Sequence, residues 1–239
     1  GSRTTETGDD KGCDVRFPIT HPKTGVQRLG TAWADGDAGR PEVLGASALS
    51  YRHPGTGHAP LRGAGIEAVN LCLERGSFTV VAGERGAGKT TLLRALLGLL
   101  PAQAGEIRWH GVPVGDPART LVPPRVAYLP QALAGGEGAV RAQVATLLES
   151  EAELLAVDDL SAALTAGEER ALWDALFARR LFWGRGACLA VSNRQAALSR
   201  ADQVVVLHEG RAVGEGRLEA LLEDCPELQR LWERTAWAR

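Results

Sequence analysis

The sequence predicts an α/β sandwich, and three observations carry that prediction. Short apolar runs of β type alternate with stretches of helical period through most of the chain. One of them, Phe78-Thr79-Val80-Val81-Ala82, runs into the glycine-rich loop Gly83-Glu84-Arg85-Gly86-Ala87-Gly88-Lys89-Thr90-Thr91, which opens a helical run from Leu92 to Leu100. Two early runs, together with Glu106 to His110, read as a small antiparallel layer beside that loop.

In chain order, residues 1–40 are rich in Gly, Thr and Asp and lack a sustained hydrophobic period. Such a stretch buries too little surface to offset its ordering entropy, so a disordered arm or linker is expected there, with one domain over 41–239. The globular part opens with Val43-Leu44 and Ala46 to Tyr51, then a turn over His53-Pro54-Gly55-Thr56-Gly57, with a second strand at Ala68 to Leu73. Pro101 ends the helix that follows the loop, and Arg125 to Pro130 reads as a buried strand finishing at Gln131. A helical pattern from Ala139 to Leu148 precedes the strand Leu154 to Val157 and then Asp158-Asp159. Next come a helix over Leu172 to Phe182, the strand Ala187 to Val191 with Ser192-Asn193 at its end, and a short helix from Gln195 to Arg200. The strands Gln203 to Leu207 and Arg211 to Val213 flank a turn, and two leucine-spaced helices, Leu218 to Leu222 and Leu228 to Trp232, close the chain.

Composition narrows the function classes. The 239 residues carry a net charge of −2, which gives no bulk attraction to nucleic acid, and no nucleic-acid partner is expected. No apolar run reaches the roughly 18–20 residues that cross a bilayer, and no secretory leader opens the sequence, so a cytoplasmic location is expected. Cys13, Cys72, Cys188 and Cys225 lack the C-x-x-C spacing of a metal or redox pair and read as reduced thiols. The sequence has no methionine, even at its first position, which fits either a piece of a longer polypeptide or a chain left by tag removal at Gly1-Ser2.

The chemistry concentrates at the ends of the apolar strands. Gly83, Gly86 and Gly88 let successive backbone N–H groups of the loop, with Arg85 and Ala87 between them, turn inward on phosphate oxygens. The new helix adds its positive N-terminal end, Lys89 reaches the β- and γ-phosphates, and the hydroxyl of Thr90, followed by Thr91, ligates Mg²⁺. Asp158, directly after four apolar residues, holds a Mg²⁺-bound water near Thr90. The same Asp pair could instead cap the helix announced by Glu168-Glu169. Trp173, Trp183, Trp232 and Trp237 lie on helical segments and read as packing residues.

The order of these motifs resembles the nucleotide-binding domain of ATP-binding-cassette (ABC) transporters, most closely the exporter type, over about residues 42–233. The residues that carry the resemblance are Gly83 to Thr90 (Walker A), the strand-to-Gln131 junction (Q-loop), Leu154 to Asp159 (Walker B), Ser161 to Thr165 (D-loop position) and Ala190 to Asn193 (switch position). It implies a P-loop NTPase sandwich with a small antiparallel β layer, ATP and Mg²⁺ as cofactors, and Thr90, Gln131 and Asp158 around the metal. It further implies a transmembrane permease domain and a second nucleotide-binding domain as partners, at the inner face of a membrane. Asp159, Gln131 and Asn193 take the catalytic positions. The adenine-stacking position matches His53, with Tyr51 as the alternate.

Four departures bear on activity. Only 27 positions separate Gln131 from Asp158, so the family's helical subdomain is largely missing. Leu133 to Glu137 reads either as a degraded signature motif, with Ala134 in place of serine, or as a loop left at the deletion. The carboxylate after the Walker B aspartate is Asp159 rather than Glu, the switch histidine is Asn193, and the D-loop aspartate is Thr165. These changes predict slow turnover with nucleotide binding intact, weak docking to a membrane domain and a mainly monomeric chain. The competing reading is a nucleotide-binding regulatory or structural module. A P-loop kinase would need an acceptor lid that the sequence does not show.

Overall fold

The computed structural model describes residues 41–54, 65–131, 151–162, 164–178 and 186–236, with the short pieces 19–20, 27–28, 142–143 and 146. Most of the expected arm, the Pro-Gly turn beyond Pro54, the signature-like stretch and most of the 139–148 helical pattern lie outside the described residues, as do Trp183 and Trp237. Within 1–40, β1 (Ile19–Thr20) pairs antiparallel with β2 (Gln27–Arg28).

Two sheets make the body. The smaller has the order β4-β3-β6-β7 and is antiparallel throughout, from β3 (Glu42–Arg52), β4 (Gly65–Glu74), β6 (Ala104–Trp109) and β7 (Val112–Pro113). The larger has the order β12-β11-β5-β10-β9-β8. Its members are β5 (Phe78–Gly83), β8 (Val126–Leu129), β9 (Leu154–Val157), β10 (Ala187–Val191), β11 (Gln203–His208) and β12 (Arg211–Gly216). All pair in parallel except β12, which returns antiparallel from β11.

The central strands are apolar at nearly every position because both faces of this sheet are covered. Val81, Leu154, Ala156, Leu189 and Val205 face one core, shared with the antiparallel layer and with α1 (Lys89–Leu96). Phe78, Val80, Leu155, Val157 and Val206 face the other, packed by Trp173 and Leu176 of α3 (Ala166–Ala178) and by Leu218, Leu221 and Leu228 of α5 (Leu218–Asp224) and α6 (Pro226–Ala236). Thr79 is the polar exception in the middle of β5, and its hydroxyl donates to Gln203 Oε1 at 3.0 Å, so no buried polar group is left unpaired there. Two four-residue helices, α2 (Pro117–Thr120) and α4 (Gln195–Leu198), lie between the strands.

Candidate functional site

Register alone gathers the predicted residues at one edge of the large sheet. Val191 pairs with Val81, Ala190 with Val157 and Leu129 with Val157, so the segments after β5, β10, β9 and β8 emerge side by side. Gly83 ends β5 itself, and the segments after β10, β9 and β8 carry Asn193, Asp158-Asp159 and Gln131 in turn. In an open parallel sheet this carboxyl edge is where ligands gather.

The loop after β5 is built for close backbone approach. Gly88 stands at φ +98° as the N-cap of α1 with no side-chain cap, so the first-turn N–H groups of the helix are left to a ligand. A Cβ at Gly88 would lie 2.7 Å from Gly65 O, and at Gly83 (φ +153°) one would lie 2.3 Å from Leu207 O. The loop is thus pressed between the start of β4 and the end of β11. The turn after β11 completes the brace, with Gly210 N donating to Ala87 O at 3.1 Å. Arg85 and Gly86 are exposed at the tip, while Ala87 is buried.

Lys89 folds back under the loop, its Nζ donating to Gly83 O at 2.8 Å and to Glu84 O at 2.9 Å. Burial pushes its ammonium below the usual lysine range, against the pull of Asp159, Asp158 and Glu84. Glu84 is paired in turn with Arg234 of α6 at 2.8 Å, which ties the last described helix to the loop.

Asp158 is fully buried at the end of β9. The Thr90 hydroxyl donates to its Oδ1 at 2.8 Å, the Tyr128 hydroxyl lies 3.4 Å from its Oδ2, and the Arg94 guanidinium stands 3.9 Å from that same oxygen. Burial raises its carboxyl above the ordinary carboxylate range, opposed by the Thr90 hydrogen bond and Arg94, while neighbouring Asp159 adds to the rise. Burial also raises the Tyr128 phenol. Sequence reasoning missed Tyr128 and Arg94. The strand period of Val126 to Leu129 and the helical period after Lys89 were their only signals, and neither says that both side chains converge on Asp158.

At the far end of the loop the structure separates the two aromatic candidates. Tyr51 is a core residue, 7% exposed, whereas His53 is exposed and meets Tyr51 edge-on with ring centroids 4.9 Å apart. His53 Nε2 lies 3.0 Å from Thr91 Oγ1, which sets the imidazole beside the loop. Gln131 is half-buried two residues past β8. Asp159 Oδ1 accepts from Ser161 N at 3.1 Å and so caps its own turn.

Asn193 lies against Gly83, accepting from its N–H at 3.0 Å and donating to its C=O at 2.9 Å. Behind it, Glu169 is 1% exposed and takes Ser192 Oγ and Trp173 Nε1, both at 3.2 Å. Arg194 faces Glu169 at 3.0 Å, out of line for a hydrogen bond, and donates to Ser161 O and Leu164 O at 3.1 and 2.9 Å. Thr165 is the cap of α3: its N–H and hydroxyl both donate to Glu168 Oε2, and its hydroxyl accepts from Glu168 N, a reciprocal capping box.

Among the described residues no group of three or more His, Cys, Asp and Glu side chains gathers as a metal cluster. A cation carried in on a phosphate needs less, one hydroxyl and one carboxylate with water and phosphate oxygens filling the rest. Thr90 and Asp158, 2.8 Å apart beside a loop with free backbone donors, fit that requirement.

Comparison with known proteins agrees with this geometry. The family model for ABC transporters matches residues 66–164. The aliphatic sulfonates import ATP-binding protein SsuB 2 of Paracoccus denitrificans is 32% identical over 180 residues, 61% of this chain and 72% of that protein. The ATP-dependent lipid A-core flippase of Chromobacterium violaceum is 26% identical over 245 residues, 79% of this chain and 41% of the flippase. A solved bacterial Atm1-family ABC exporter with ATP bound superposes with a TM-score of 0.63 at 18% identity, covering 82% of this chain and 42% of the exporter chain. The chain spans only 28 to 41% of the longer relatives it matches. Taken with the phosphate loop and the strand-end aspartate, these matches show that the chain belongs to the ABC transporter family and contains that family's ATP-binding domain.

Proposed function

We propose that this chain binds Mg-ATP and serves as the ATP-binding part of a transporter that couples nucleotide binding and hydrolysis to export through a separate membrane domain. The observation that carries the nucleotide reading is the Thr90 hydroxyl set 2.8 Å from buried Asp158, with Lys89 folded under the adjoining loop. Thr90, Asp158 and Gln131 would hold Mg²⁺, which would neutralise charge on the β- and γ-phosphates. The chain's own contribution is positional. Gly88 to Thr91 would present backbone donors, and Lys89 its ammonium, to the phosphates, His53 would offer a face to the adenine, Gln131 and Asp159 would orient an attacking water, and Asn193 closes the edge. Export is supported by the exporter-like order of the motifs. No described helix is long and apolar enough to cross a membrane, which fits a peripheral place at the inner face against a permease partner.

Three observations favour a second reading, a nucleotide-binding regulatory module with little hydrolysis. Asp159 caps its own turn, Asn193 is engaged with Gly83, and Thr165 is used as a helix cap. An ATPase assay separates the two readings. The unmodified chain should turn over below about 1 s⁻¹, the low end of ordinary enzymes, and Asp159→Glu with Asn193→His should raise that rate. Turnover by the unmodified chain in the ordinary enzyme range would favour a fully active transporter ATPase, and no gain in the double variant would favour the module.

A further inference from the structure

We propose that Asn193 is a positioning residue of the phosphate loop, acting on nucleotide through Gly83, so that it supports the binding of adenosine di- and triphosphate alike. The inference rests on the nucleotide-binding reading above and assigns this residue a role within it.

A carboxamide presents a donor and an acceptor in one plane, and both are matched here to the N–H and C=O of a single residue. The register of β10 on β5, with Val191 beside Val81, brings Asn193 level with Gly83 at the point where the strand becomes the loop. Gly83 O is also the anchor of Lys89 Nζ at 2.8 Å, so the amide and the ammonium converge on one carbonyl. That carbonyl belongs to a residue where only glycine fits, since Leu207 O lies 2.3 Å from the place a Cβ would take. Turning the amide toward a third phosphate would leave the Gly83 N–H unpaired and remove one of the two groups that hold the Lys89 anchor. The cost of an unmade bond on a buried group exceeds the net gain of a new one. The geometry therefore fixes the start of the loop before any nucleotide arrives, and every phosphate the loop cradles benefits.

The test is calorimetry on the full chain and on Asn193→Ala, with Mg-ADP and with the Mg complex of a β,γ-imido analogue of ATP. Both affinities should fall together, on the order of tenfold, from the loss of two hydrogen bonds. A fall confined to the triphosphate analogue would overturn the proposal and make Asn193 a γ-phosphate contact. Amide hydrogen exchange supplies the reading that a purely structural role would not move. In Asn193→Ala the Gly83 amide should lose protection while those of Val80 and Val81 keep theirs, and uniform loss along β5 would overturn the assignment. Should the variant fail to fold, the unmodified chain still decides. Protection of its Gly83 amide should be the same with either nucleotide, and loss with the triphosphate analogue alone would overturn the proposal. If the unmodified chain bound neither nucleotide, the nucleotide reading itself would fall, an outcome distinct from a change in the ratio of the two affinities.

Discussion

Asp158 is fully buried, and that burial raises its carboxyl above the ordinary value near 3.8. Between the two values the folded chain binds more protons than the unfolded one. This group therefore favours folding below about 3.8, and its contribution is lost as pH rises through the raised folded value. At neutral pH the ionised carboxylate costs stability, which is tolerated at functional sites. Asp158→Asn should raise the thermal midpoint of the nucleotide-free chain at pH 7, since the amide carries no charge to desolvate. The gain should vanish in acid, and Mg-ATP affinity should fall in the same variant. A midpoint that drops at pH 7 would contradict this account of Asp158. Burial raises the Cys188 and Cys225 thiols, and with both side chains buried alkylating reagents at neutral pH should react slowly with either in the folded chain.

Among the elements, β9 and β10 were legible in the sequence to the residue, because a strand covered on both faces must be apolar throughout. The antiparallel layer was legible in outline only. β3 runs unbroken from Glu42 to Arg52, with three register shifts against β4, because Gly45, Ser47 and Ser50 carry little apolar signal yet pair with β4 or β6. The motifs around the loop could be read from local spacing. The partners of Asp158 and Asn193 could not, since Arg94, Tyr128 and Gly83 reach them only through the order of strands. Thr165 begins α3 as a capping box. Thr165→Ala should cost about 1 kcal/mol, seen as a lower denaturation midpoint at unchanged slope. Glu169→Ala should cost more, about 3 kcal/mol, because it strips the buried partner from Arg194, Ser192 and Trp173 together.

For the whole molecule, the two sheets enclose α1 and aim its N-terminus at the edge where four strand ends meet, an arrangement suited to holding a triphosphate. The short interval between Gln131 and Asp158 leaves little chain for a helical subdomain, and a surface burying well under ~1,200 Å² makes a transient partner contact. Sedimentation of Asp159→Asn with Mg-ATP should accordingly show mainly monomer, and a stable ATP-dependent dimer would contradict that expectation. Whether the loop holds nucleotide is tested most directly by calorimetric titration of Mg-ATP into the unmodified chain and into Lys89→Ala. Saturable binding that weakens roughly tenfold or more in the variant is the predicted result, the loss of a charge-assisted contact worth about 1.5–3 kcal/mol. Equal affinity in the two proteins, or no binding in the unmodified one, would contradict it.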